Sequence, residues 1–166
     1  LIELVSSGKG CNTYAYIDAA FVRGNQVNVS YQRWDYSGEF GGKETQVRGV
    51  LTIDASDAQK PVVLSKLEQA VVYDNNNYWS DFYNYYQYGY GSTQTNSVRT
   101  DNAIVFQEQR WLPSTGPTQN YEMRLRIVDL TDPAHPSQTT LTLPKASGYS
   151  GLVVDGANVM LSHFDE

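Results

Sequence analysis

Residues 22–34 read VRGNQVNVSYQRW, and residues 98–111 read VRTDNAIVFQEQRW. Val22-Arg23 lies over Val98-Arg99 at a spacing of 76 residues, and Gln32-Arg33-Trp34 lies over Gln109-Arg110-Trp111 at 77. The likeness continues downstream. VLTIDASDAQKP (50–61) lies over LRIVDLTDPAHP (125–136), so that Asp54, Asp57 and Pro61 fall on Asp129, Asp132 and Pro136 at a spacing of 75. A drift of one or two residues is what turns and bulges absorb. Self-similarity at a nearly fixed period marks a repeat architecture.

A third copy opens in GLVVDGANVMLSH (151–163), where Val154-Asp155-Gly156 fits Val22-Arg23-Gly24. Val154 follows Val98 by 56 residues, so the basic unit is about that long and the first copy carries an insertion. Each full unit holds four strand candidates: 14–23, 26–34, 47–54 and 61–68, then 95–100, 103–111, 122–129 and 137–143. Thirteen Tyr and the many Val, Ile and Thr favour strands, and no long stretch has helical spacing of apolar residues. Arg23-Gly24-Asn25-Gln26 and Asp155-Gly156 read as tight hairpins, because Gly and Asn accept positive φ. The links Asp54 to Pro61 and Asp129 to Pro136 read as turns: Asp and Ser/Thr side chains bond nearby backbone N–H groups, and Pro presets φ.

Four antiparallel strands repeated at a fixed period indicate a β-propeller blade. The expected fold is therefore all-β, two blades plus part of a third. Blade 1 covers about 14–69, an aromatic insertion 73–96, blade 2 about 95–143, and the start of blade 3 about 150–163. Leu1–Val5 is a candidate leading outer strand. Propellers close with about four to eight blades. The remaining blades of the same protein, or further copies of the chain, would complete the ring. The opening at Leu1, with neither Met nor a charged-then-apolar leader, reads as a processed chain or a piece of a longer one.

The run IVDLTDPAHP (127–136) resembles the LVIVD-type repeat of bacterial secreted and cell-surface β-propellers, with Ile53-Asp54-Ala55-Ser56-Asp57 as a second instance. The resemblance implies a propeller located outside the cell, in the periplasm or on the cell surface. It implies a binding platform and brings no catalytic set with it. Ala58 stands where the pattern has Pro.

The long links of such a unit join strands two and three, at 35–46 and 112–121, and strand four to the next unit, at 73–96. Binding on a rigid scaffold concentrates in long loops. The insertion holds Tyr73, Tyr78, Trp79, Phe82, Tyr83, Tyr85, Tyr86, Tyr88 and Tyr90, with Asp74 and Asp81 as the only charges between 73 and 90. Tyr offers broad contact area at low entropic cost and keeps a hydroxyl for hydrogen bonding. The segment reads as a contact surface for a protein partner or for structural assembly. A lectin-like surface stacking sugars on these rings is the second reading, and part of a propeller hydrolase the third. The bland reading folds the rings onto the chain's own blades.

Other chemistry has little to stand on. Net charge is −6 with only 12 scattered basic residues, which does not suit a nucleic acid backbone. No apolar run is long enough for a membrane helix. Cys11 is alone, and no Cys/His spacing suggests haem or structural zinc, so no cofactor is assigned. Asp74-Asn75-Asn76-Asn77 has calcium-type oxygens but fails the EF-hand spacing, so no metal is assigned. Asp35, Glu39 and Glu44 could form an acid/base pair, yet three loop carboxylates are usually only solvated, so no catalytic residue is assigned. His135 and His163 have no visible nucleophile or ligand partner. Asn28-Val29-Ser30 matches a glycosylation acceptor inside a strand.

The residues that recur read as architecture: Arg33, Trp34, Asp54 and Asp57, repeated as Arg110, Trp111, Asp129 and Asp132. Arg23/Arg99 and Arg48/Arg124 recur in the same way, and all are expected to pair with carboxylates or loop carbonyls. Trp34 and Trp111 are expected between neighbouring blades or over the loop base.

Overall fold

The computed structural model describes residues 13–37, 43–72, 93–112, 120–145 and 148–164. Among them the chain is all-β and antiparallel. Strands β1 (Thr13–Arg23), β2 (Gln26–Ser37), β3 (Lys43–Asp54) and β4 (Val62–Val72) form one four-stranded sheet in sequence order. Strands β5 (Thr93–Arg99), β6 (Ala103–Leu112), β7 (Asn120–Asp129) and β8 (Ser137–Thr142) form a second. Strands β9 (Gly148–Asp155) and β10 (Asn158–Phe164) form a hairpin. Each sheet is open among the described residues. The chain divides into two compact units, Leu1–Gln87 and Tyr88–Glu166.

The eight strand candidates of the two full copies all appear, several of them longer than expected. Pairing continues past Trp34 through Asp35↔Thr45, Tyr36↔Glu44 and Ser37↔Lys43, so the 35–46 link contracts to residues 38–42. The 112–121 link likewise contracts to 113–119. The contraction is a ladder effect, because Tyr36 and Thr45 suit strands and extend the existing register. Asp35 and Glu44 therefore sit on paired strands rather than on one loop, and Glu39 lies outside the described residues. Leu1–Val5 and residues 73–92 lie outside them too.

The three hairpins share one register. Each turns through two residues, Gly24-Asn25, Asp101-Asn102 and Gly156-Ala157. Arg23 pairs with Gln26 and Asp155 with Asn158. The Thr100 N–H donates to the Ala103 carbonyl at 2.9 Å at the same place. Gly24 and Gly156 take φ of +53° and +59°, the left-handed conformation such turns require. A β-bulge interrupts the first strand at the matching point each time, between Ile17 and Ala19, between Gln94 and Asn96, and opposite Leu161 to His163.

This register corrects part of the sequence alignment. A spacing of 77 holds throughout the first two strands, so Val22 matches Arg99 and Arg23 matches Thr100. The shared Val-Arg at 22 and 98 is one residue out of phase. Arg48 and Arg124 are also not equivalent. With Asp54 on Asp129, it is Gly49 that falls on Arg124. A one-residue slip turns a side chain to the other face of a sheet. Of the three arginine pairs, only Arg33/Arg110 keeps its place.

One middle strand of each four-stranded sheet is buried on both faces. Val47 to Ile53 are all buried on β3, and Ile104 to Glu108 on β6. In the first unit one face carries Tyr31, Leu51 and Ile53 with Val27 and Val29 packed against them. The other face carries Asn28, whose Nδ2 donates to Thr52 Oγ1 at 3.0 Å. Asn28 has no exposed surface, so the acceptor sequence it begins is closed to glycosylation in the fold. In the second unit β9 lies against β5, where a Cβ on Gly151 would crowd the Asn96 side chain.

Candidate functional site

The third-to-fourth strand links form the same turn twice. Asp54 Oδ1 accepts the Ser56 N–H at 2.8 Å, and Asp57 Oδ1 the Gln59 N–H at 2.9 Å. Asp129 Oδ1 accepts the Thr131 N–H at 2.8 Å and its hydroxyl at 2.6 Å, while Asp132 Oδ1 accepts the Ala134 N–H at 3.0 Å. Backbone bonds Lys60 N to Asp57 O and His135 N to Asp132 O close both turns. The Thr131 hydroxyl, then its N–H, hold the Asp129 carboxyl below its usual range. For Asp132 the leading cause is the His135 ring, whose Nδ1 lies 2.9 Å from Oδ2. Lys60 takes the His135 position in the first copy.

One row, equivalent in both sheets, holds the carboxylates around which charged groups gather. In the first sheet the row runs Ile17, Tyr31, Gly49, Glu68 across β1 to β4. In the second it runs Gln94, Glu108, Arg124, Thr142 across β5 to β8. The third hairpin begins the row with Tyr149 and His163, whose ring centroids lie 6.0 Å apart.

In the first row the buried Tyr31 ring covers Gly49. Any Cβ at Gly49 would overlap that ring, which explains a glycine in the middle of a central strand. The Tyr31 hydroxyl donates to Glu68 Oε1 at 2.5 Å. The same oxygen meets Arg33 Nη1 at 2.9 Å and Lys66 Nζ at 3.0 Å. Burial, and then the hydrogen bond to Glu68, push the Tyr31 phenol well above its usual value. For Glu68, burial works upward, but hydrogen bonds from Tyr31 and Lys66 and the charges of Arg33 and Lys66 outweigh it and hold the carboxyl low.

In the second row Glu108 is fully buried. Its Oε1 meets Arg126 Nε at 2.7 Å, and its Oε2 meets Arg124 Nε and Nη2 at 3.0 Å each. The Arg126 guanidinium also lies 4.0 Å from the Phe106 ring centroid. A carboxylate with both oxygens engaged by guanidinium groups is a poor proton carrier and a good clamp.

The described residues therefore give Arg33, Asp54, Asp57, Asp129 and Asp132 bonding partners within their own sheets. Arg99 behaves similarly, with Nη1 donating to the Thr100 carbonyl at 2.9 Å. Trp34 pairs with Tyr14 and Gln46, Trp111 with Tyr121, and Arg110 with Glu122 along the ladders. The side chains of those three residues lie outside the described set. So do all nine aromatic residues from Tyr73 to Tyr90 and the Asp74-to-Asn77 run. Sequence reading missed Tyr31, Gly49, Glu68, Glu108 and Arg126. At a spacing of 77 Tyr31 falls on Glu108, and at 75 Gly49 falls on Arg124, so unlike residues occupy equivalent places and self-similarity does not mark them. No group of His, Cys, Asp and Glu suited to a metal occurs among the described residues.

No protein-family model, curated protein or solved structure matches the chain.

Proposed function

We propose that the chain is a non-catalytic β-propeller segment, two blades and part of a third, that serves outside the cell as a protein-binding or structural assembly module. The observation that carries this reading is the unbroken burial of Val47 to Ile53 and of Ile104 to Glu108. A lone antiparallel sheet with one wet face shows alternating burial; a sheet set between two others does not. The shared register of the three hairpins supports a common blade plan. The charged rows support a structural role, because their ionic groups are engaged with one another. The LVIVD-type resemblance supports the bacterial surface setting.

The contact surface in this reading is the aromatic segment Tyr73, Tyr78, Trp79, Phe82, Tyr83, Tyr85, Tyr86, Tyr88 and Tyr90, which follows β4 and precedes β5. Partners are the remaining blades or further copies, and a protein bound through these rings. The test replaces Tyr83, Tyr85, Tyr86 and Tyr88 together by Ser in the full chain. Sedimentation and capture of cell-surface protein then report association, and urea unfolding reports stability. Lost association at an unchanged urea midpoint supports the proposal. A lowered midpoint with association intact overturns it, assigning the rings to the chain's own core. A glycan array that responds to the wild type and falls blank on the variant would replace it with a lectin.

A further inference from the structure

The turn between β7 and β8 matches the turn between β3 and β4 in its bonding and departs from it at two chemically important positions. Asp57 Oδ1 accepts the Gln59 N–H, and the Lys60 N–H donates to the Asp57 carbonyl at 3.0 Å. Asp132 Oδ1 accepts the Ala134 N–H, and the His135 N–H donates to the Asp132 carbonyl at 3.1 Å. After the aspartate comes Ala58 in the first turn and Pro133 in the second, and the closing residue is Lys60 in the first and His135 in the second. Of the six prolines, only Pro133 follows an Asp. His135 Nδ1 lies 2.9 Å from Asp132 Oδ2, and the two side chains are 84% and 62% exposed. A carboxylate, a hydrogen-bonded amide carbonyl and a proton carrier thus meet at one peptide bond in reach of water.

We propose that the Asp132–Pro133 peptide bond is a self-cleavage site, opened by the Asp132 carboxylate with the His135 ring as proton donor. Asp132 Oδ1 adds to the carbonyl carbon of its own residue and closes a five-membered ring. Negative charge develops on the carbonyl oxygen, which the His135 N–H already bonds. The bond from that carbon to the Pro133 nitrogen then breaks. The nitrogen takes the proton of the protonated His135 ring and leaves as an amine, and Asp132 remains as a cyclic anhydride. Water opens the anhydride to two carboxylates and releases two protons, one to the His135 ring and one to the Pro133 amine. Proline suits the leaving role, because a nitrogen without an N–H cannot close on the side chain as a succinimide. Ala58 keeps its N–H, and Lys60 is not a proton carrier of the histidine kind. The other titratable groups near the bond are Asp129 on the same link and Asp101 on the β5–β6 turn, brought alongside by the 2.7 Å bond from the Leu130 N–H to the Asn102 carbonyl. The ladder from Asp129↔Ser137 to Arg124↔Thr142 holds β8 on β7, so the cut chain keeps its sheet. The reaction is a single turnover on the chain itself and does not depend on the propeller reading.

The test incubates the full chain at about pH 5, where the Asp132 carboxyl, held below its usual range, is ionised. Mass spectrometry and N-terminal sequencing should find a new chain that starts at Pro133, and no cut between Asp57 and Ala58. The rate should be independent of protein concentration and should fall as pH rises and His135 loses its proton. Asp132→Ala should abolish the cut. His135→Gln should slow it by about a hundredfold and remove that pH dependence. Ala58→Pro combined with Lys60→His, which rebuilds the second turn on the first, should create a cut after Asp57, and the lack of one overturns the assignment to these residues. No cut in the wild-type chain overturns the proposal, as does a cut unchanged by His135→Gln. A cut of equal rate in concentrated urea also overturns it, and assigns the reaction to the Asp-Pro sequence without the turn. A rate that rises with protein concentration overturns it in favour of a second molecule acting on the first.

Discussion

The same row crosses both four-stranded sheets, and the two sheets fill it in opposite ways. Nearest the hairpin turn they agree: Val27 opposes Ile53, and Ile104 opposes Val128. One step on, the first sheet stays apolar with Val29 and Leu51, whereas the second sets Phe106 beside Arg126. At the row itself the first places a Tyr ring over Gly49 and its carboxylate on the outer strand, at Glu68. The second places the carboxylate on the inner strand, at Glu108, with the cations beside it. One backbone plan thus accepts a steric solution and an ionic one. What differs is the cost of disturbing each. A ring over a glycine fails by overlap; a buried charge cluster fails by leaving cations without their counter-charge.

Breaking the ionic row should have the largest effect. Glu108→Ala takes the carboxylate from two guanidinium groups and should destabilise the protein by about 3–5 kcal/mol in urea unfolding. A loss below about 1 kcal/mol would place Glu108 with ordinary surface ion pairs. Gly49→Val, aimed at the steric row, should cost about 1–3 kcal/mol by overpacking. Combining it with Tyr31→Ala should recover part of that loss, because the two residues share one space. Tyr31→Phe should cost about 0.5–1.5 kcal/mol, the worth of one hydrogen bond, and Glu68→Gln, which takes the charge from partly exposed pairs with Arg33 and Lys66, about 0–1 kcal/mol.

The titration of the first row sharpens the contrast. The Glu68 carboxyl is lower in the folded chain than in the unfolded one, so its contribution is full above about pH 4.3. That contribution is lost as pH falls through the lower folded value, and Glu68→Gln should flatten this acid limb. The Tyr31 phenol is raised in the fold, so stability declines as pH climbs above about 10, and Tyr31→Phe should remove that share of the decline. Smallest of all, Asp54→Ala and Asp129→Ala should each lower the urea midpoint slightly, through loss of the side-chain bonds that brace the turn. Asp129→Ala should cost more, because Asp129 accepts the Thr131 hydroxyl as well as its N–H.

Much of the fold was legible in the sequence. Alternating β-formers and the Gly-Asn and Asp-Gly turns located the strands, and the spacing of Asp54 and Asp57 from Asp129 and Asp132 located the repeated turn. The register of the first strands was not. Val-Arg occurs at 22 and again at 98, but the two-residue turns that follow share only an Asn in second place, and the turn fixes the register. The charged rows were hidden for a different reason. Arg124 was expected to pair with a carboxylate or a loop carbonyl, but nothing singled out Glu108 or Arg126, since burial of a strand on both faces comes from neighbours that local periodicity does not describe. The aromatic segment stands out by composition alone, and composition does not say which rings face inward.

The bulge in β1 has a consequence for solubility. β1 is an edge strand, and Tyr16 and Ile17 on it are 62% and 64% exposed. Flat edges of this composition zip together into fibres. Here the bulge falls on Asp18, whose carboxylate is held by Gln32 Nε2 at 2.9 Å. The extra residue twists the edge and fixes a negative charge at its middle, so that a second edge brought alongside meets a broken ladder and an unpaid desolvation. In a chain with thirteen tyrosines, this one edge carries a bulge and a charge that disfavour edge-to-edge pairing.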